Sequence, residues 1–405
     1  MPPPRVLDPF AGGGSYPLEA LRLGCAAYAN DYNPVAVLIL KATLEYPQRY
    51  GTRIDMDATD EHGLLKNIRA NPSNPRASAS HSGQPALFDS PKRTVNPLLE
   101  AVKYWGEWVL NEARRELERF YSTRIDTDIT DDHGSIRDHP SNPRPSVSHS
   151  ETVVGYIWAR TLPCQNPACG VEIPLMRQYW LAKKEKKKIA LRPLSRGAGE
   201  PIAFEIVAQD LSGRAALHPY APWPADFAPE DGSVSRAVVT CPACGAVIDD
   251  DTTRRLFREG KAGQRMVAVV TTGVGAHGSA PNGKTYRLPN EADLAAYRAA
   301  QAALQAKRAH LRAAWGMEPL PDEPLPPKES HRAVGSQLPL YDFNTWSDLF
   351  NPRQALALLT FADAVRRAHA QMLAWGYPED FARAVATYLG MMVSRLADYN
   401  LFSAP

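Results

Sequence analysis

Apolar residues in the first fifty positions switch between two periods. "RVLD" at 5–8 reads as a short buried strand, and 15–24 as a helix with Leu18, Leu21 and Leu23 on its apolar side. "CAAYAND" at 25–31 predicts a second strand, and 34–46 a second helix opened by Pro34 in its first turn. A strand–loop–helix–strand–helix order is the start of a doubly wound α/β sheet. A long helix follows at 95–121, with Leu98, Leu99, Val102, Trp105, Val109, Leu110 and Leu117 at helical spacing. Residues 152–260 lean towards β-structure. Beyond them come an Ala-rich helix at 291–315, a proline-rich linker at 318–327 and two helices at 352–375 and 378–399.

Two segments break the pattern and resemble each other. "TRIDMDATDEHGLLKNIRANPSNPRASASHS" (52–82) and "TRIDTDITDDHGSIRDHPSNPRPSVSHS" (123–150) align with one gap, and neither has a usable apolar period. Their Asp-rich starts fail as calcium loops. The sixth position is Asp60 or Asp131 instead of Gly, and the twelfth is Lys66 or Arg137 instead of Glu. They read as a disordered insertion repeated in two surface loops, because lengthening a loop costs little free energy.

Bulk composition narrows the class. A chain of 405 residues with 44% hydrophobic and 22% charged residues has room for two or three domains. Its formal charge of +2 leaves nucleic-acid binding to local patches. No apolar run reaches membrane-spanning length and no signal-peptide core opens the chain, which predicts a cytoplasmic location with no membrane partner.

In "VLDPFAGGGS" a strand delivers Asp8, and the chain then turns through Gly12, Gly13 and Gly14 into a helix. Glycines there let a ligand approach the backbone, and a helix N-terminus favours an anionic group. The nicotinamide fingerprint would need glycine where Pro17 stands. Asp31, 23 residues after Asp8, suits a ribose diol, since a carboxylate can accept hydrogen bonds from both hydroxyls. A ligand-free glycine turn and a site for another nucleotide are the competing readings.

Four of the five cysteines form two close pairs, Cys164/Cys169 and Cys241/Cys244, each followed by a glycine. Such pairs in a cytosolic chain suggest metal rather than disulfides. Four thiolates give a closed tetrahedral site, so zinc here is expected to be structural. The alternative is four buried or loop cysteines. The 71 residues between the pairs are expected to pack around the site, and Cys25 to be a small core residue. Within that interval, "RQYWLAKKEKKKIALRP" sets five lysines beside Tyr179 and Trp180, either a solvated hairpin tip or a grip on phosphates.

The Asp-Pro-Phe before the glycines resembles motif I of the S-adenosylmethionine-dependent amino-methyltransferases. Together with "YNPVAVLILKATLEYP", "YWGEWVLNEARREL", "YIWARTLPCQNPACGVEIPL", "WSDLFNPRQALALLTF" and "SRLADYN", it is similar to the adenine-specific DNA methylases that contain a zinc ribbon. The resemblance implies a partial Rossmann-like methyltransferase sheet with an inserted β-rich zinc-ribbon domain and C-terminal helices. It implies that Asp8, Pro9, Phe10, Gly12, Gly14, Asp31 and Asn33 bind S-adenosylmethionine, and that Cys164, Cys169, Cys241 and Cys244 hold structural zinc. DNA is the implied partner and the adenine N6 amino group the implied target. The base would be flipped into a pocket because its amine is out of reach in the duplex.

The family's catalytic Asp/Asn/Ser-Pro-Pro-Tyr/Phe motif is absent from the sequence. Its Pro-Pro pairs fall only in Pro2–Pro4 and at Pro326–Pro327, without the flanking acid and aromatic. No catalytic residue is therefore assigned. The expectation is a fragment, inactive alone, that relies on a chain or segment supplying the missing motif. The alternatives are a fragment of an RNA methyltransferase or a non-catalytic zinc-ribbon module that binds nucleic acid. The expected division is 1–51 cofactor-binding start, 52–83 repeat, 84–122 helical continuation, 123–151 repeat, 152–260 zinc-ribbon domain, 261–330 helix and linker, and 331–405 C-terminal helices.

Overall fold

Strand β1 (Arg5–Asp8) runs parallel to strand β2 (Ala26–Ala29), with helix α1 (Ser15–Arg22) between them in sequence. The computed structural model describes residues 2–52, 54–56, 93–121, 152–185, 187–210, 220–272, 283–326 and 338–399. Most of the first repeat and all of the second lie outside the described residues. The chain divides into two units, Met1–Leu117 with Ala357–Leu401, and Glu118–Leu356.

The expected burial of the first strand is corrected. Leu7 and its cross-strand neighbour Tyr28 are both exposed. Parallel strands are buried when neighbours and helices enclose them, and among the described residues this sheet has two strands. For the same reason Leu18 and Leu23 lie outside while α1 buries Pro17 and Ala20, and Cys25 is half-buried rather than in the core.

The second helix runs past its expected end at 46. Helix α2 (Pro34–Leu40) passes through one π-turn at Lys41–Glu45 into α3 (Tyr46–Tyr50). Pro47 has no N–H to give to a carbonyl four residues back, and its ring would clash there. A single π-turn absorbs that misfit. The hydroxyl of Tyr388 donates to the carbonyl of Ala42 at 2.5 Å, which satisfies an acceptor inside the turn.

After a short antiparallel ladder of β3 (Ile54–Met56) and β4 (Arg93–Val95), helix α4 (Pro97–Leu117) fills most of the predicted 95–121 span. Its buried residues, Leu98, Ala101, Trp105, Val109, Ala113 and Leu117, follow steps of three and four. Leu99 and Leu110, expected inside, fall beside that stripe and are exposed, while two alanines take the inner places.

The second unit is built on β5 (Thr152–Pro163), which pairs antiparallel with β6 (Glu172–Leu175). A second sheet holds β7 (Trp180–Lys184), β8 (Lys187–Leu194), β9 (Ala203–Asp210) and β10 (Ala221–Pro222). A third holds β11 (Val234–Ser235), β12 (Val238–Thr240) and β13 (Val247–Ile248), and leads into helix α5 (Asp250–Arg258), capped by the Asp249 side chain. Strand β14 (Gly263–Thr272) then returns along β5, and β15 (Lys284–Arg287) pairs with it. The expected boundary at 260/261 therefore falls inside one unit, because β14 shares a sheet with β5 and belongs to no linker.

Helix α6 (Glu291–Trp315) matches the predicted 291–315 span and opens with a reciprocal capping box between Asn290 and Asp293. Helices α7 (Pro352–Ala374) and α8 (Glu379–Tyr399) follow. In the first unit, Trp105, Val109, Met372, Phe381, Val385 and Leu389 form the centre of one core from α4, α7 and α8. The protein is thus mixed α/β with several sheets and C-terminal helices. Among the described residues no helix is long and apolar enough to cross a membrane.

Candidate functional site

The four cysteine sulfurs come together although the two pairs are far apart in sequence. All four lie within 4.8 Å of one another, with Cys164 Sγ 3.6 Å from Cys244 Sγ and Cys169 Sγ 3.9 Å from Cys241 Sγ. Four sulfurs bound tetrahedrally at about 2.3 Å from a zinc ion stand roughly 3.8 Å apart, so the spacing fits. The first pair sits on the loop between β5 and β6, the second on the turn between β12 and β13.

Backbone hydrogen bonds shape both turns. The Cys164 amide donates to the carbonyl of Val171 at 2.8 Å, and the amides of Cys169 and Gly170 both reach the carbonyl of Asn166. In the second turn Cys241 donates to the carbonyl of Ala246, and Gly245 back to that of Cys241, each at 2.9 Å. Gly170 (φ 59°) and Gly245 (φ 73°) take the left-handed conformation that such turns need. Leu162, Ile173, Ile202, Val239 and Phe257 wall the cluster from behind.

Protonation follows from these surroundings. The amides of Val171 and then Gly199 pull the Cys169 thiol down to about 7. Burial pushes Cys164 up to about 12 and raises Cys241 as well. Four neighbouring sulfurs cannot all ionise unless a cation offsets their mutual repulsion. The donor set can hold a metal ion and is compatible with structural zinc, with every tetrahedral position taken by protein. Sequence reasoning missed Gly199, a distant backbone donor. Asn166 was visible as an Asn inside "CQNPACG", where its carboxamide oxygen accepts the amide of Ala168.

In the first unit the glycine loop is tied down by Asp31. Its Oδ2 accepts the amide of Gly12 and its Oδ1 that of Asn33, each at 2.8 Å. The amides of Asn33, Gly12 and Tyr32 hold the Asp31 carboxyl below its ordinary value of 3.8. Ala11 donates to the carbonyl of Asn30 and Asn30 to that of Asp8, both at 2.9 Å, which stitches the loop to the end of β2. Asn33 caps α2 by accepting the amide of Val35.

Gly12 (φ 51°) and Gly14 (φ 87°) differ in what they require. A Cβ on Gly14 would lie 2.8 Å from Leu40 Cδ2, whereas one on Gly12 or Gly13 would meet nothing within 4 Å. The outer side of the loop is therefore open to approach.

Asp8, Gly12, Asp31 and Asn33 thus share one hydrogen-bonded loop junction. Phe10 donates its amide to Asp8 Oδ1 at 3.2 Å, but its ring is 81% exposed. Pro9 has no N–H to donate there. A 540 Å³ cleft in this unit is lined by Pro17, Tyr28, Asn30, Leu40, Lys41 and Glu45 among others, and by none of the predicted cofactor residues.

The described lysines of the run lie on β7 and β8, which pair as an antiparallel hairpin. Lys183 pairs with Glu230 at 2.9 Å, and Trp180 stacks on Trp223 with ring centres 5.2 Å apart. One face of Trp180 is therefore already occupied. No protein-family model, curated protein or solved structure matches this chain.

Proposed function

We propose that the chain carries the S-adenosylmethionine-binding and zinc-holding parts of a DNA amino-methyltransferase acting on adenine. The observation that carries this reading is the loop junction. A parallel strand ends at Asp8, an open glycine turn follows, and the carboxylate at the end of the next strand lies against that turn. The Asp31 carboxylate accepts the amides of Asn33, Gly12 and Tyr32, which leaves one of its four lone-pair sites for a ribose hydroxyl. Gly12 and Gly13 leave room for the methionine part, and the N-terminus of α1 offers its amide dipoles. Bound there, the cofactor would supply an electrophilic methyl group. The strand–loop–helix–strand unit then stands for part of a Rossmann-like sheet, and the two cysteine turns for a zinc ribbon whose metal has a structural task. No Asp-Pro-Pro-Tyr motif accompanies the loop in this sequence, so cofactor binding and methyl transfer are separate questions.

Calorimetric titration of S-adenosylmethionine into the zinc-loaded chain tests the reading. Saturable binding that Asp31→Ala weakens tenfold or more supports it, and the absence of heat in the unaltered chain would sink it.

A second reading is a nucleic-acid-binding module without catalysis. It is favoured by the cleft of the first unit, which none of the predicted cofactor residues lines. Retained, salt-sensitive DNA binding with no cofactor binding would select it.

A further inference from the structure

A second cluster, on the β11–β12 hairpin and helix α5, carries more charge than the fold uses. Arg177, Arg236, Thr253 and Arg254 line one 610 Å³ cleft together with Phe257 and Tyr341. We propose that these four residues form a binding site for a phosphate group, as a free phosphate or phosphomonoester or as the phosphodiester of a nucleic acid. The inference does not rest on the methyl-transfer reading.

Thr253 is the main observation. The residue lines the cleft and is 1% exposed, and its hydroxyl is buried without a hydrogen-bond partner. Buried hydroxyls without partners are costly and rare in folded proteins. The neighbouring Arg254 Nε is likewise buried and unpartnered, although its outer nitrogens pair with Asp250 at 2.9 Å and Asp251 at 3.2 Å. Two adjacent donors of one helical turn thus have nothing to donate to. Turned toward the cleft, both would donate to an anion bound there.

Arg177 and Arg236 supply the charge to offset it. Both are exposed, and neither makes an ion pair among the described residues. Their positions are fixed from the backbone. A Cβ on Gly232 would lie 2.1 Å from the carbonyl oxygen of Met176 and 2.4 Å from that of Arg177, so only glycine lets the two segments touch. Ser233 clamps the same junction, accepting the amide of Met176 at 2.9 Å and donating to the carbonyl of Pro174 at 2.5 Å. Arg236 occupies the two-residue hairpin turn with Ala237, both at positive φ (49° and 66°), where Asn-Gly is the usual choice. An arginine accepted in a left-handed turn that glycine would ease suggests that its side chain is used. Guanidinium groups suit phosphate because their planar donors can bind two oxygens at once.

The test uses the full zinc-loaded chain with two probes. Inorganic phosphate is titrated by calorimetry, and a fluorescent twelve-residue thymidine oligonucleotide is followed by anisotropy over a salt series. The variants are the double substitution Arg177→Gln/Arg236→Gln and the isosteric Thr253→Val, with zinc content and circular dichroism checking the fold. We expect at least one probe to bind saturably, with the double variant about tenfold weaker and Thr253→Val about threefold weaker at unchanged zinc content. Phosphate binding identifies a free phosphate or monoester. Oligonucleotide binding without phosphate binding, with a salt slope lowered by about 1.4 units in the double variant, identifies the polymer backbone. If the double variant loses zinc, Thr253→Val alone decides. Failure of both probes to bind, or wild-type affinity in the folded variants, overturns the site.

Discussion

Asp31 Oδ2 lies 2.8 Å from the amide nitrogen of Gly12, so the residue expected to meet a ligand already holds the loop. The bond spans 19 residues and closes the glycine turn onto the end of β2. Two tasks are therefore superposed on one carboxylate, and they can be separated. Asp31→Asn keeps one oxygen able to accept an amide, whereas Asp31→Ala keeps none. Asp31→Ala should abolish calorimetric binding of S-adenosylmethionine and broaden the amide resonances of Gly12 and Asn33. Asp31→Asn should weaken binding while leaving the Asn33 amide sharp.

The same geometry predicts a pH dependence. The Asp31 carboxyl is depressed in the folded protein, first by the amide of Asn33 and then by that of Gly12. A depressed carboxyl adds stability that is present above its unfolded value of 3.8 and lost as pH falls through the lower folded value. The loop should thus be indifferent to pH between 5 and 7. A carbon-detected NMR titration should place the Asp31 midpoint below 3.8, and a midpoint above it would contradict these hydrogen bonds.

Zinc, when bound, should be inseparable from the second unit. Cys241 is 1% exposed and shares its core with Val239, Ile248 and Phe257. Cys241→Ser should lower zinc from one ion per chain to none by mass spectrometry of the native protein. It should also remove the cooperative unfolding of the second unit, because structural zinc adds folding energy directly. Binding requires that thiols lose protons, so affinity should fall as the pH is lowered from 8 to 6.

Two glycines of one loop should respond differently to alanine. Gly14→Ala meets both a left-handed φ and a Cβ 2.8 Å from Leu40, and should cost about 3 kcal/mol in urea unfolding. Gly12→Ala meets only the backbone term and should cost about 1 kcal/mol. Equal losses would show that the approach to Leu40 is not tight.

Gly232 makes the sharpest case. A methyl group there would overlap two backbone carbonyls, which cannot swing away as a side chain can. Gly232→Ala should cost at least about 3 kcal/mol, while Gly245→Asn, at a positive φ with nothing within 4 Å, should be near neutral.

Local chemistry made much of this legible in advance. The helix at Pro97–Leu117 follows from apolar spacing, and those at Glu291–Trp315 and Glu379–Tyr399 fall where the sequence predicts them. The Cys-x-x-Cys-Gly turn announced a thiolate site because its glycine and its backbone donors are neighbours in sequence. The π-turn before Pro47 was hidden, since a proline reads as a stop unless a distant group such as the Tyr388 hydroxyl satisfies the displaced carbonyl.

By itself, then, the sequence determined where helices and turns form and which residue types could bind metal, because those depend on contacts within a few positions. Only the tertiary structure decided that β14 returns to β5 and that Leu7 and Leu99 stay exposed. It alone set Arg177, Arg236 and Thr253 around one cleft. Burial and long-range proximity depend on which surfaces the rest of the chain brings together, and no local pattern of apolar residues encodes that choice.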